Sequence, residues 1–262
     1  MSDNLRHRMD MAAEAVWEAG KVTLRHFQTG VGVELKLDRT PVTVADRETE
    51  AVLMNMLLRE FPQDAFLGEE SGERPGKSGF RWVVDPIDGT KSFLQGVPLY
   101  GVMVGLEDPE GEAVVGAVSL PPLYELIVAA RGEGCRWNGR RAAVSGVVRM
   151  EKACVVYTSE KTFEAAGLGD TFRRIQGRTR ICRGWGDCYG HMLVATGRAE
   201  VMLDPILSDW DCVPLLPILE EAGGTFTDWK GTRTVRGKSG ISTNGKVAPE
   251  LRALIDTELR AR

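Results

Sequence analysis

The chain has 262 residues, 43% hydrophobic and 27% charged, with a net charge of −4. That balance suits a globular protein with one large core or two modest ones and excludes disordered and fibrous classes. The acidic balance gives no electrostatic footprint for nucleic acid, the first residues lack a signal-peptide pattern, and no run of about 18 apolar residues exists to span a bilayer, so a cytoplasmic protein with no membrane partner is expected. The five cysteines (Cys135, Cys154, Cys182, Cys188, Cys212) form no CxxC pair, which argues against a disulfide framework or a zinc site.

Apolar residues at Met9, Ala13, Val16, Trp17, Gly20, Leu24 and Phe27 recur with a helical period and predict an opening amphipathic helix. A second helix is expected over 46–61, with Ala51, Met54, Leu58 and Phe61 inward, stopping before Pro62. Strand-like runs at 80–84, 101–106, 113–120 and 126–131, separated by Gly, Pro and Asp turns, predict an antiparallel meander on which both helices lie, an α+β layer. After a hairpin around 132–141 the pattern alternates. A strand at 153–157, a helical stretch ending near Gln176, a strand near Ile181, a helix over 188–196 and a strand at 199–203 are expected in turn. A helix through 215–222, a hairpin at 225–228, a strand near Ile241 and a helix from Pro249 complete the chain. Two rigidly joined domains follow, 1–143 as α+β and 144–262 as α/β.

Four acidic clusters stand out: Asp46, Glu69 with Glu70, Asp85 with Asp88 in WVVDPIDGTKSF, and Asp209 with Asp211 in SDWD. Each has a structural explanation. Asp46 suits a first helical turn in a box-like pattern with Thr43, SDWD suits a helix cap, and DPIDG suits a tight turn. Together they point elsewhere, because like charges sharing a dry pocket destabilise it unless they are protonated or coordinate a cation. Oxygen-only ligands select a hard cation, with Mg²⁺ the natural candidate. In this reading the strand ends at Val84 and the turn presents Asp85, Asp88 and the Ile87 carbonyl together. Gly89, Thr90, Lys91 and Ser92 then open a helix whose free amides suit phosphate, so metal and anion sites adjoin, as phosphoryl transfer requires. No GxSxG, GxGxxG or GxxxxGK[ST] pattern supports a triad or a nucleotide site.

GEES, WVVDPIDGTKSF and SDWD followed by LLPILEEAGG resemble the inositol monophosphatase-like family of Mg²⁺-dependent phosphatases over nearly the whole chain. The resemblance implies a layered αβαβα sandwich, a homodimer, a small phosphate monoester as substrate and about two to three Mg²⁺ per site. Carried over by position, Glu69, Asp85 and the Ile87 carbonyl hold one ion and Asp85, Asp88 and Asp211 a second, while Glu69 also supports a weaker third. Thr90 and Asp46 orient and deprotonate the attacking water, Glu70 stands behind the ligands, and Lys36 falls where the family carries a loop lysine near the metals.

Substrate choice is expected from 183–201, RGWGDCYGHMLVATGRAEV, together with Asp204. WGDCYG resembles the histidinol-phosphate phosphatases of that family. Asp187 and Asp204 would answer an ammonium group that a neutral polyol lacks, with Arg183, Gly186, Asp88, Gly89 and Thr90 completing the substrate contacts. The structural alternative makes Asp187 a cap for the helix beginning at Cys188. Inositol phosphate, a sugar bisphosphate or phosphoadenosine phosphate are alternative substrates. A different class of role, partner binding in RNA-polymerase complexes through the arginines of 173–183, is the remaining alternative.

Overall fold

The computed structural model describes residues 2–35 and 41–259, so Lys36 lies outside the described residues. Helix α1 (Ser2–His26) buries Met9, Ala12, Ala15, Val16, Ala19 and Val22, a stripe of mostly small side chains that lets it lie close to its neighbours. Trp17 and Leu24, both expected inward, are each 37% exposed. Strands β1 (Val33–Leu35) and β2 (Pro41–Thr43) pair as a two-stranded ribbon leading into α2 (Val44–Glu60). The buried stripe of α2 is Ala45, Asp46, Thr49, Glu50, Leu53 and Leu57, whereas Ala51 is exposed and Met54, Leu58 and Phe61 are half-buried. The expected inward face of this helix is therefore rotated. Its inward residues at the N-terminal end are polar, and hydrophobic periodicity is blind to a face that buries carboxylates for a site.

The first sheet has eight strands: β3 (Ala65–Gly68), β4 (Gly72–Arg74), β5 (Arg81–Asp88), then after the short helix α3 (Thr90–Leu94) β6 (Gly101–Glu107), β7 (Ala113–Leu120), β8 (Glu125–Ala130), β9 (Gly134–Trp137) and β10 (Arg140–Arg141). Their spatial order is β10-β9-β8-β7-β6-β5-β3-β4. The meander from β5 to β10 is antiparallel as expected, but β3 and β4 are additions, and β3 pairs in parallel with β5. Four residues with little alternation gave β3 too weak a pattern to read. Strand β5 also continues past Val84 to Asp88.

The second half supplies β11 (Cys154–Tyr157), α4 (Glu160–Ala165), α5 (Gly169–Gln176), β12 (Ile181–Arg183), α6 (Asp187–Ala195), β13 (Val201–Asp204), α7 (Asp209–Glu221), β14 (Thr225–Thr227), β15 (Gly240–Thr243) and α8 (Ala248–Leu259). The expected single helical stretch before Gln176 is two helices, and α7 begins six residues earlier than its expected stretch despite containing Pro214 and Pro217. Its start is fixed by Ser208 and Asp211, which cap it reciprocally, and its body is buried between two sheets, which outweighs the missing amides. The five-stranded sheet runs β12-β11-β13-β15-β14.

Three apolar clusters define the layers. One joins α1 and α2 to the first sheet, a second fills the space between the sheets around α6 and α7, and a third joins α4, α5 and α8 to the outer face of the second sheet. The result is the expected αβαβα sandwich. Helix α7 approaches the first sheet so closely that a Cβ on Gly116 of β7 would collide with the Pro214 carbonyl. The middle layer points the N-terminal ends of α6 and α7 toward one end of β5, where the acids converge.

Candidate active site

Residues three apart in a regular strand face opposite sides of a sheet. Asp85 and Asp88 nevertheless share one face, because the register of β5 against β6 steps from Asp85↔Met103 to Asp88↔Gly101, one extra residue in β5. This is a β-bulge at Pro86 and Ile87, where a proline costs no ladder hydrogen bond. Trp82 and Val84 turn toward α1 and α2 while Val83 joins the middle layer, so Asp85 follows Val83 inward. Glu69 directly follows the strand beside it: β3 and β5 run parallel with Gly68 opposite Val84, so Glu69 leaves β3 beside Asp85 of β5. Asp211 arrives on the first turn of α7. Oxygens of Asp85, Asp88 and Asp211 lie within 4.8 Å of one another.

Each of these carboxylates is pinned by a backbone amide through one oxygen. Ile87 donates to Asp85 at 2.9 Å, Cys188 donates to Asp88 from the first turn of α6, and Ser208 donates to Asp211 at 2.6 Å. Asp85 and Asp211 also share a side-chain hydrogen bond, a contact that a cation between them would replace. Asp46 repeats the pattern, with one oxygen accepting from the Thr43 amide and hydroxyl, both at 2.7 Å. The cap expected of Asp46 and the cap expected of SDWD are thus both present, and neither consumes the carboxylate.

The electrostatics follow from burial. Asp85 is raised well above the usual carboxylate range, first by burial and then by Glu69, Asp88 and Asp211. Asp88 and Asp211 are each pushed up to about 7, again by burial first, with neighbouring charges added; the Cys188 thiol and amide oppose on Asp88, and the Ser208 amide and the Asp85 carboxyl oppose on Asp211. Asp46 is raised by burial and by Glu69, against the Thr43 hydrogen bonds. Anions held this close are stable only when protonated or bridged by a cation. The donor set, carboxylates with one backbone carbonyl and no sulfur or imidazole, fits a hard divalent ion.

The predicted residues are otherwise placed as follows. Gly89 has φ 83°, a left-handed conformation that turns the chain from the bulge into α3. The Thr90 hydroxyl donates to the Ile87 carbonyl at 3.0 Å, and the hydrogen bonds of the Asp46 side chain go to Thr43 rather than to Thr90. Asp187 opens α6 with φ 54° as its first helical residue, and the N-cap position falls to Gly186, so Asp187 is not the cap residue of this helix. Its carboxylate instead lies over Gly89, whose added Cβ would be 3.1 Å from Asp187 Oδ2. Burial and the Asp88 charge push Asp187 up to about 7, with Lys91 opposing. Asp204 is buried at the end of β13 and also raised well above its ordinary value, by burial first. Gly186 packs against Thr158, where a Cβ would collide. Arg183 is exposed on an edge strand with its guanidinium on the Cys182 carbonyl at 2.9 Å, and among the described residues no hydrogen bond joins it to the acids. Asp209 parts from Asp211 and binds Arg236 and Lys238, each at 2.7 Å.

Two working residues carry no motif. The Thr158 hydroxyl accepts from the Asp187 amide at 3.0 Å and donates to Asp204 at 2.8 Å, tying the two acids into one unit. Buried Glu50 accepts from the amides of Glu70 and Ser71, both at 2.8 Å, and so fixes the turn that carries Glu69. The one signal for Glu50 was its place four residues after Asp46, on the same helix face.

Residues 4–260 match the profile of the inositol monophosphatase family. The chain belongs to this family. It is 42% identical to a histidinol-phosphatase of Chlorobaculum parvum over 97% of this chain and 98% of that protein. It is 32% identical to an inositol-1-monophosphatase of Rhizobium meliloti over 97% of this chain and 98% of that one. Among solved structures, the extragenic suppressor protein suhB of Bartonella henselae superposes with a TM-score of 0.88 at 30% identity, covering 95% of this chain and 98% of that chain. Among the described residues, no helix is long and apolar enough to cross a membrane.

Proposed function

We propose that this member of the inositol monophosphatase family is a Mg²⁺-dependent phosphate monoester hydrolase acting on L-histidinol phosphate, releasing L-histidinol and phosphate. Glu69, Asp85, the Ile87 carbonyl, Asp88 and Asp211 would hold the ions, about two to three in number, which supply positive charge for phosphoryl oxygens and acidify a water. The chain's own work is positioning. The amides opening α3 at Gly89 and Thr90 face the phosphate, while Asp46 and Glu69 accept hydrogen bonds from the attacking water and take its proton.

One observation carries the substrate reading: Asp187 is held in a left-handed conformation with its carboxylate beside Asp88 and over Gly89. An acidic residue in such a conformation is strained by about 1–3 kcal/mol, which is typical of functional positions. Thr158 couples it to Asp204, so a second carboxylate stands behind the first. The Asp187 carboxylate next to the phosphate subsite suits an alkylammonium phosphate, and a neutral polyol gains nothing from its charge. Trp185, 40% exposed and two residues before Asp187, offers an aromatic face of the kind an imidazole stacks on.

The deciding assay measures phosphate release from L-histidinol phosphate and from inositol 1-phosphate with Mg²⁺ at equal concentrations. At least about tenfold preference for histidinol phosphate is expected from one charge-assisted hydrogen bond. Equal or inverted rates would transfer the proposal to inositol phosphate, the activity that names the Rhizobium relative. A role confined to partner binding is not favoured, because Arg173, Arg174 and Arg180 bond within the chain, to Glu164 and Asp170, to the Leu254 carbonyl and to the Lys152 carbonyl.

A further inference from the structure

Directly behind the acids, α6 buries a histidine that the chemistry above does not use. His191 is 1% exposed, and its Nδ1 lies 2.7 Å from the Ser242 hydroxyl of β15. Its other nitrogen, Nε2, is buried without a hydrogen-bond partner among the described residues. Burial pushes this imidazole down to about 3, so it is neutral and has one ring N–H to place. His191 also lines a small cavity of about 10 Å³ with Asp88, Asp187, Cys188, Asp211 and the apolar side chains of Met103, Leu207 and Leu215. That volume admits about one water, and the lining offers it two to four polar partners, which are the two conditions for a stable internal water.

We propose that His191 is a positioning residue for Asp88 and Asp211, acting through a single internal water in this cavity. Ser242 donates its hydroxyl hydrogen to His191 Nδ1, and the Nε2–H donates to the water. Both water hydrogens are then free for carboxylate oxygens of Asp88 and Asp211. Every polar atom in the chain of contacts is satisfied in this tautomer, and two donors reach the metal ligands from the side away from solvent. The opposite tautomer would require the water to donate to Nε2, leaving a single hydrogen for two carboxylates. His191 and Ser242 come from different layers of the second half, so the water would couple the fit between α6 and the second sheet to the geometry of the acids.

The inference rests on the metal-site reading, and its test separates the two. A high-resolution crystal structure of the Mg²⁺-loaded protein should show one water within hydrogen-bond distance of His191 Nε2 and of Asp88 or Asp211. Calorimetric Mg²⁺ titration should show His191→Phe binding at least about tenfold more weakly than the parent, the usual effect of losing a partner behind a metal ligand. His191→Gln, which keeps an N–H donor, should recover most of that loss. Ser242→Ala serves as a second probe if His191→Phe does not fold, and should weaken Mg²⁺ binding by releasing the ring. A dry cavity, or Mg²⁺ affinity within about twofold of the parent in both His191→Phe and Ser242→Ala, would overturn the positioning role while leaving the metal site standing. A parent protein that binds no Mg²⁺ would overturn the metal reading itself.

Discussion

Asp88 bears two opposed demands, since the cation site needs its charge and the metal-free fold is destabilised by it. Removing that charge should therefore separate stability from function. Asp88→Asn is expected to raise the melting temperature of the metal-free protein while reducing turnover at least about a hundredfold. Differential scanning calorimetry in a chelator and a phosphate-release assay check the two halves, and a lower metal-free melting temperature would contradict the repulsion argument. Asp187 divides differently. Asp187→Asn should lower kcat/KM for histidinol phosphate by about 10- to 100-fold, the worth of a charge-assisted hydrogen bond, with Mg²⁺ affinity nearly unchanged. A similar loss on a phosphate ester without an ammonium group would move Asp187 from recognition to architecture. Sequence reading singled out Asp85, Asp88 and Asp211 because acids in turn-like motifs are conspicuous, and Asp187 and Asp204 through the resemblance of WGDCYG. It missed Thr158 and Glu50, whose work depends on what the fold sets opposite them.

At the scale of elements, the acids are presented by a bulge in β5 and by the starts of α2, α6 and α7, and the start of α7 is clamped from outside. Arg236 pairs with Asp209 on its first turn and with Glu107, a buried carboxylate at the end of β6 that Arg81 holds from the other side. Arg236→Met should weaken Mg²⁺ binding by about three- to tenfold, because the turn that carries Asp211 loses its anchor. Titration calorimetry measures this directly, and unchanged affinity would limit Arg236 to a stabilising role. These elements also set the titration of the cluster, because they enclose it. Burial first, and neighbouring charge second, push Asp88, Asp187 and Asp211 up to about 7. Unfolded carboxyls titrate near about 4, so between about pH 4 and pH 7 the folded chain binds more protons than the unfolded one, and its stability falls as pH rises. The metal-free protein should melt at a lower temperature at pH 8 than at pH 5.5, and Mg²⁺ should raise the melting temperature more at pH 8. A metal-free stability that climbs across this window would refute the raised values.

For the whole molecule, the decisive feature is the middle layer. Helix α7 comes from the second half of the sequence yet packs on β5, β6, β7 and β8 of the first sheet, and one apolar cluster takes residues from both sheets. Glu221, at the end of α7, accepts from the amides of Gly132 and Gly134 in the first half at 2.7 and 2.8 Å. Thermal unfolding of the metal-free protein should accordingly be a single transition with equal calorimetric and van't Hoff enthalpies. Gly116→Ala, which thrusts a methyl into the Pro214 carbonyl, should lower that one transition without splitting it. Two resolved transitions would show that the halves at 143 and 144 melt as separate domains.

The sequence by itself determined which residues carry charge and which segments have a repeating apolar pattern. From these the antiparallel meander, the alternation of the second half and the acidic motifs could all be read, since each is local in the chain. Only the tertiary structure decided that Asp85 and Asp88 share a face, that β3 brings Glu69 beside Asp85, and that Asp187 faces Gly89 instead of capping α6. Each of these depends on register or on packing between residues far apart in sequence. A bulge of one residue, a parallel pairing and a helix seated between two sheets leave almost no local trace, because their free energy comes from contacts that exist only once the layers have closed.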